Sequence, residues 1–160
     1  MQEDKIRLLI VDDEVRFLQT LSQRLAMRDF DVTPVSSGEE AVSQARQKEF
    51  DLALVDLKMP GMRGEDVLRT LKQEHPFLEV VILTGHGSVD SAVECIKEGS
   101  YSYLQKPCET EELMEALKDA YKARLKKKLS VDGEKLEKLM GMAVGSSALG
   151  ILRRLKELDR

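Results

Sequence analysis

Between Lys5 and about Lys128, short apolar runs give way to amphipathic stretches five times over, and this alternation limits the fold more than any other feature of the chain. A run of continuous apolar residues makes a strand that must be covered on both faces. A helix with one apolar stripe can cover one of them, so repeated units of this kind predict an α/β fold with a parallel sheet between helical layers. The predicted strands are Ile6–Val11, Val32–Val35, Leu52–Val55, Val80–Leu83 and Tyr101–Leu104. Pro34 lacks the N–H that a central ladder needs, which puts the second strand at an edge. Val15, Leu18, Leu21 and Leu25 mark a first helix. Ser37 followed by Glu40 reads as a capping box that opens a second, with Ala41, Val42 and Ala45 inward. Val67, Leu68 and Leu71 mark the third helix. Val89, Ala92, Val93 and Ile96 are the expected buried stripe of the fourth, which stops before Gly99 and leaves Cys95 off the stripe. Leu113, Ala116, Leu117, Ala120 and Tyr121 form that of a longer fifth, whose positive N-terminal end suits Glu109, Glu111 and Glu112.

Composition removes several function classes. With 42% hydrophobic and 34% charged residues in 160, the chain can build a core and is not a disordered tether. A net charge of -4 argues against gripping a phosphate backbone, so direct DNA binding is not expected. The basic run from Lys122 through Arg124 to Lys128 reads as a solvated helix end facing the negative pole of its dipole. Two cysteines, Cys95 and Cys108, and two histidines, His75 and His86, have no paired spacing for zinc and suit a reducing compartment. No apolar run approaches the roughly 18–20 residues of a membrane span, and residues 1–5 are no signal peptide. A cytoplasmic location without membrane contact is therefore expected.

The informative polar residues stand where the strands end. Asp12 and Asp13 follow the first strand, Asp56 the third, Thr84 the fourth and Lys106 the fifth, all at the carboxyl edge where doubly wound sheets bind ligands. Three converging carboxylates repel one another, and a divalent cation relieves that. Their hard oxygens suit Mg²⁺, which keeps several waters and bridges carboxylates to phosphate. A threonine hydroxyl and a lysine ammonium suit phosphate oxygens, and together these are the parts for moving a phosphoryl group onto a carboxylate. Two other classes fit less well. A hydrolase working through an aspartyl phosphate wants a second carboxylate two residues after its nucleophile, where Lys58 stands. A flavin binder wants a phosphate-cradling loop after the first strand, where Asp12-Asp13-Glu14 stands.

Four motifs occur in order: Val11-Asp12-Asp13-Glu14, Val55-Asp56-Leu57-Lys58-Met59-Pro60-Gly61, Leu83-Thr84-Gly85-His86 and Leu104-Gln105-Lys106-Pro107. Over about residues 5–125 this set resembles the receiver domain of bacterial two-component response regulators, nearest in character to receivers of nitrogen-regulatory ATPase activators. The resemblance implies a flavodoxin-like, doubly wound, five-stranded sheet of order 2-1-3-4-5. It implies that Asp56 is the phosphoacceptor, taking its group from the phosphohistidine of a sensor histidine kinase or a histidine phosphotransfer protein. Asp12, Asp13, Asp56 and the Lys58 backbone carbonyl would hold Mg²⁺ or Mn²⁺. Thr84 and Lys106 would bind phosphoryl oxygens. Thr84 and Tyr103 would form the switch that alters the helix 4, strand 5, helix 5 face toward a downstream protein target. Lys58 and His86 would tune the lifetime of the phosphoryl group, and Lys106–Pro107 would be a cis peptide.

Residues 1–128 are thus expected to form the receiver, and 129–160 a helical tail without a separate effector domain, since some 30 residues are too few for a second core. Ser130-Val131-Asp132-Gly133 reads as a break, and Ala143 to Leu149 resembles the opening of an ATPase activator domain, without a phosphate-binding loop. Ile151, Leu152, Leu155 and Leu158 make an apolar stripe on a segment too short to stay helical alone. Something must cover it, and a second copy of the chain in a homodimer is the favoured cover, ahead of the receiver's own surface or a target.

Overall fold

The computed structural model describes residues 5–129 and 148–158. Strands β1 (Ile6–Val11), β2 (Phe30–Val35), β3 (Leu52–Val55), β4 (Glu79–Thr84) and β5 (Ser102–Gln105) form one parallel sheet in the order β2-β1-β3-β4-β5. Helices α1 (Val15–Ala26), α2 (Gly38–Gln47), α3 (Gly64–Glu74), α4 (Val89–Lys97) and α5 (Thr110–Lys128) alternate with the strands, and α6 (Ala148–Leu158) follows. Fold class and strand order are as expected. The period of two along β1 sorts the core: Leu8 and Ile10 pack with α1, α5 and α6, whereas Leu9 and Val11 pack with α2, α3 and Cys95 of α4. β2, with its proline, and β5, half-buried at most, lie at the edges. No described helix is long and apolar enough to cross a membrane.

Ser37 caps α2 by accepting the Glu40 N–H at 3.2 Å. β4 starts one residue before the expected run, at Glu79, because that buried carboxylate is met by Lys72 at 2.9 Å and Lys127 at 2.8 Å. β5 runs one residue later than expected and leaves Tyr101 exposed.

At α4 and at the end of α5 the structure departs from the pattern expected of the sequence. The apolar spacing of α4 does not mark its buried face: Val89, Val93 and Ile96 are 80%, 48% and 50% exposed, while Cys95 is fully buried. Small side chains face inward, with Ser91 and Ala92 half-buried beside Cys95, and let the helix lie close to β5, where the Tyr103 hydroxyl meets Ser91 Oγ at 2.8 Å. A Ser88–Ser91 capping box opens this helix. In the basic run of α5, Arg124 is buried and not solvated; it donates to the Phe77 carbonyl at 2.8 Å and meets Asp51 at 3.2 Å.

The stripe on α6 is covered by the chain itself. Ala148, Ile151, Leu152 and Leu155 are buried in the core shared with α1, α5 and β1. Lys156 Nζ reaches Asp51 Oδ2 at 2.9 Å, and Arg153 pairs with Asp29. Burying each large apolar side chain is worth roughly 1.5–3 kcal/mol, which accounts for a helix that would not persist in water. Ile151, Leu152 and Leu155 are therefore not free to join a second copy, contrary to the self-association expected of them. The Leu158 side chain and the segment 130–147, with its expected break and activator-like stretch, lie outside the described residues.

Candidate functional site

Strand register brings the carboxyl ends level. Val11 lies opposite Val55, Val55 opposite Ile82, and Thr84 opposite Gln105, so the residues that follow share one edge. The loop after Asp56 is pinned by Leu57 and Met59, both buried, with exposed Lys58 between them. α3 closes tightly on this loop through Gly64, where a Cβ would stand 2.2 Å from the Asp56 carbonyl oxygen, so only glycine fits.

Carboxylate oxygens of Asp12, Asp13 and Asp56 lie within 4.8 Å of one another. Asp12 and Asp56 are 2% and 4% exposed, while Asp13 faces solvent. Asp12 Oδ1 accepts the Glu14 N–H at 2.9 Å, and its Oδ2 accepts from Lys106 Nζ at 2.6 Å. Asp56 Oδ1 is buried without a hydrogen-bond partner. Burial pushes the Asp56 carboxyl above its usual range; the Thr84 hydroxyl and the Lys106 ammonium pull it back, and the negative charge of Asp12 raises it further. Thr84 is fully buried, and its Oγ1 accepts the His86 N–H at 3.2 Å. Three carboxylates, one with an orphaned oxygen, form the hard donor set that a divalent cation takes.

Asp12, Asp13, Asp56, Thr84 and Lys106 thus meet at one place, with Lys58 and His86 exposed around it. Tyr103 stands aside, bonded to α4, and so close to Gly87 that a Cβ there would lie 2.5 Å from its hydroxyl. The Lys106–Pro107 bond is cis. Two features escape the strand-end pattern: the ring of Phe17 on α1, whose centroid is 4.0 Å from Lys106 Nζ, and the buried Asp51 at the far end of β3. For Phe17 the one signal in the sequence is its place on the first helix turn after Asp12-Asp13-Glu14.

Residues 8–118 match the family model of the response regulator receiver domain, and the chain belongs to that family, a signalling module of two-component systems. It is 35% identical over 125 residues to regulatory protein LuxO of Vibrio cholerae, covering 78% of this chain and 28% of that protein. To transcriptional regulatory protein ZraR of Salmonella typhimurium it is 38% identical over 120 residues, covering 75% of this chain and 27% of that protein. The crystal structure of a response regulator receiver domain protein from Clostridium thermocellum superposes with a TM-score of 0.71 at 35% identity, over 78% of this chain and 98% of that one. The chain therefore spans under a third of the length of these curated relatives.

Proposed function

We propose that this chain receives a phosphoryl group on Asp56 from the phosphohistidine of a sensor histidine kinase or a histidine phosphotransfer protein in the cytoplasm, and so controls a partner protein. The observation that carries this reading is the buried, unpartnered Oδ1 of Asp56 inside a trio of carboxylates and beside a lysine. A carboxylate oxygen of Asp56 attacks phosphorus, and the phosphorus–nitrogen bond of the donor breaks with its electron pair returning to the imidazole. Asp12, Asp13 and Asp56, with the Lys58 carbonyl, would hold Mg²⁺ or Mn²⁺. When bound, the cation neutralises charge between the carboxylates and the incoming phosphoryl group. Thr84 leaves the Asp56 carboxylate and donates its hydroxyl to one phosphoryl oxygen, while the Lys106 ammonium leaves Asp12 for another. The shift of Thr84 makes room for Tyr103 to turn away from Ser91, and this loosens α4 from β5 and changes the face that α4, β5 and α5 present. In this reading residues 1–128 act as the receiver, and 129–160 are its appendage.

Incubation with acetyl phosphate and Mg²⁺ tests it. Acid-labile phosphate should form on the wild type and be absent from Asp56→Asn and from the wild type in chelator. Undiminished labelling of Asp56→Asn refutes the assignment.

A further inference from the structure

Lys106 rests between two groups of different chemistry. Its ammonium touches Asp12 Oδ2 at 2.6 Å and stands over the face of Phe17, 4.0 Å from the ring centroid. The electron-rich face of an aromatic ring attracts a cation, and more strongly where water is scarce; this lysine side chain is only 15% exposed. Phe17 itself is half-buried and leans on the core that α1 shares with α5. Its ring is therefore fixed by packing, and the ammonium is held by the ring.

We propose that Phe17 is a positioning residue for the phosphorylation site: its ring clamps Lys106 onto Asp12 and so sets how readily a divalent cation takes that carboxylate. This rests on the reading of Asp12, Asp13 and Asp56 as a metal site. One Asp12 oxygen is already committed to the Glu14 N–H and the other to Lys106, so a cation entering the trio competes with the ammonium for Oδ2. Like charges a few ångströms apart repel, and the ammonium must withdraw from a dication bound there. Whatever holds the ammonium on Asp12 opposes metal entry. The ring face does this, and its contact is lost when Lys106 moves to a phosphoryl oxygen. Phe17 thus favours the resting, metal-free arrangement.

The test is Mg²⁺ binding followed by amide NMR at Asp12, Asp13 and Gly85, in the wild-type chain, Phe17→Leu, Phe17→Tyr, Lys106→Met and the Phe17→Leu/Lys106→Met double variant. Phe17→Leu should bind Mg²⁺ about two- to five-fold more tightly, the span expected for losing one partly screened cation–ring contact. Phe17→Tyr, which keeps a ring, should bind like the wild type. In the Lys106→Met background Phe17→Leu should change nothing, since no ammonium remains to be clamped. The Lys106 ε-methylene protons should resonate upfield in the wild type, from the ring current, and return to ordinary positions in Phe17→Leu. Unchanged or weaker Mg²⁺ binding in Phe17→Leu, or an equal shift in the Lys106→Met background, overturns the proposal. A wild type that gives no Mg²⁺ response overturns the metal-site reading and this inference with it, a failure distinct from a wild type that binds and a Phe17→Leu that binds alike.

Discussion

Two aspartates bracket the four residues of β3, and they are opposites. Asp51, just before the strand, is fully buried and held by Arg7 at 2.8 and 2.9 Å, Arg124 at 3.2 Å and Lys156 at 2.9 Å. Burial alone would raise its carboxyl, but the Arg7 hydrogen bonds and the Lys156 charge outweigh that and hold it below its usual range. Asp56, just after the strand, feels the charge of a lysine that is bonded to Asp12, keeps an oxygen unpartnered and is pushed upward. The two ends of one strand, roughly 16 Å apart at about 3.3 Å per residue, thus treat the same side chain in contrary ways. A buried carboxylate whose charge is matched in place is costly to remove, because its partners are then left buried and unmatched, whereas one left unmatched has its proton affinity raised, the mark of a candidate functional group.

Removing the matched carboxylate should cost most. Asp51→Ala takes from buried Arg124 and Lys156 the carboxylate they share and should destabilise the fold by about 3–5 kcal/mol, read in urea unfolding. A loss under about 1 kcal/mol would mean the cations relax into water and the cluster is not structural. Next comes Leu155→Ala, which empties a fully buried site between α6 and the receiver and should cost about 2–5 kcal/mol. α6 should also lose its hydrogen-exchange protection. If the loss is confined to α6 exchange and leaves global stability alone, the helix is an accessory and not part of the core.

Most of this contrast could be read in the sequence on one side only. The central strands are legible because β1, β3 and β4 are buried on both faces, and Asp12, Asp56, Thr84 and Lys106 stand out as polar groups ending apolar runs. Asp51 opens a strand and looks like any loop carboxylate. Its partners Arg7, Arg124 and Lys156 are 44, 73 and 105 positions away, so no local pattern announces them. Arg124 is hidden further by the lysines around it, which do face water in part. The α4 face departs from its apolar spacing for a different reason: apolar periodicity reports burial where large side chains do the packing, and here Ser91, Ala92 and Cys95 do it.

Asp56→Asn should have a smaller effect of opposite sign. It removes a charge that the pocket leaves uncompensated in the absence of metal, so near neutral pH the variant should melt slightly higher than the wild type. A lower melting temperature would show that the ionised carboxylate is held by more than Thr84 and Lys106. The smallest effect is in pH. Asp56 binds its proton more tightly folded than unfolded, so its contribution is present at low pH and is lost as pH rises above the ordinary carboxylate range. Asp51 does the reverse: its contribution is full above that range and is lost as pH falls through its depressed value. In side-chain carboxyl NMR without metal, Asp56 should protonate before Asp51 as acid is added. Identical midpoints would erase the comparison.

The inward turn of α4 gives the molecule a built-in reporter. Cys95 is fully buried, and burial, aided by the charges of Glu65, Glu94 and Glu98, pushes its thiol up to about 11. Alkylating reagents need an accessible thiolate, so in a Cys108→Ala background the rate of Cys95 modification measures how often α4 lifts from the sheet. A single thiol that the protein already carries can thus time the opening of the helix next to Tyr103.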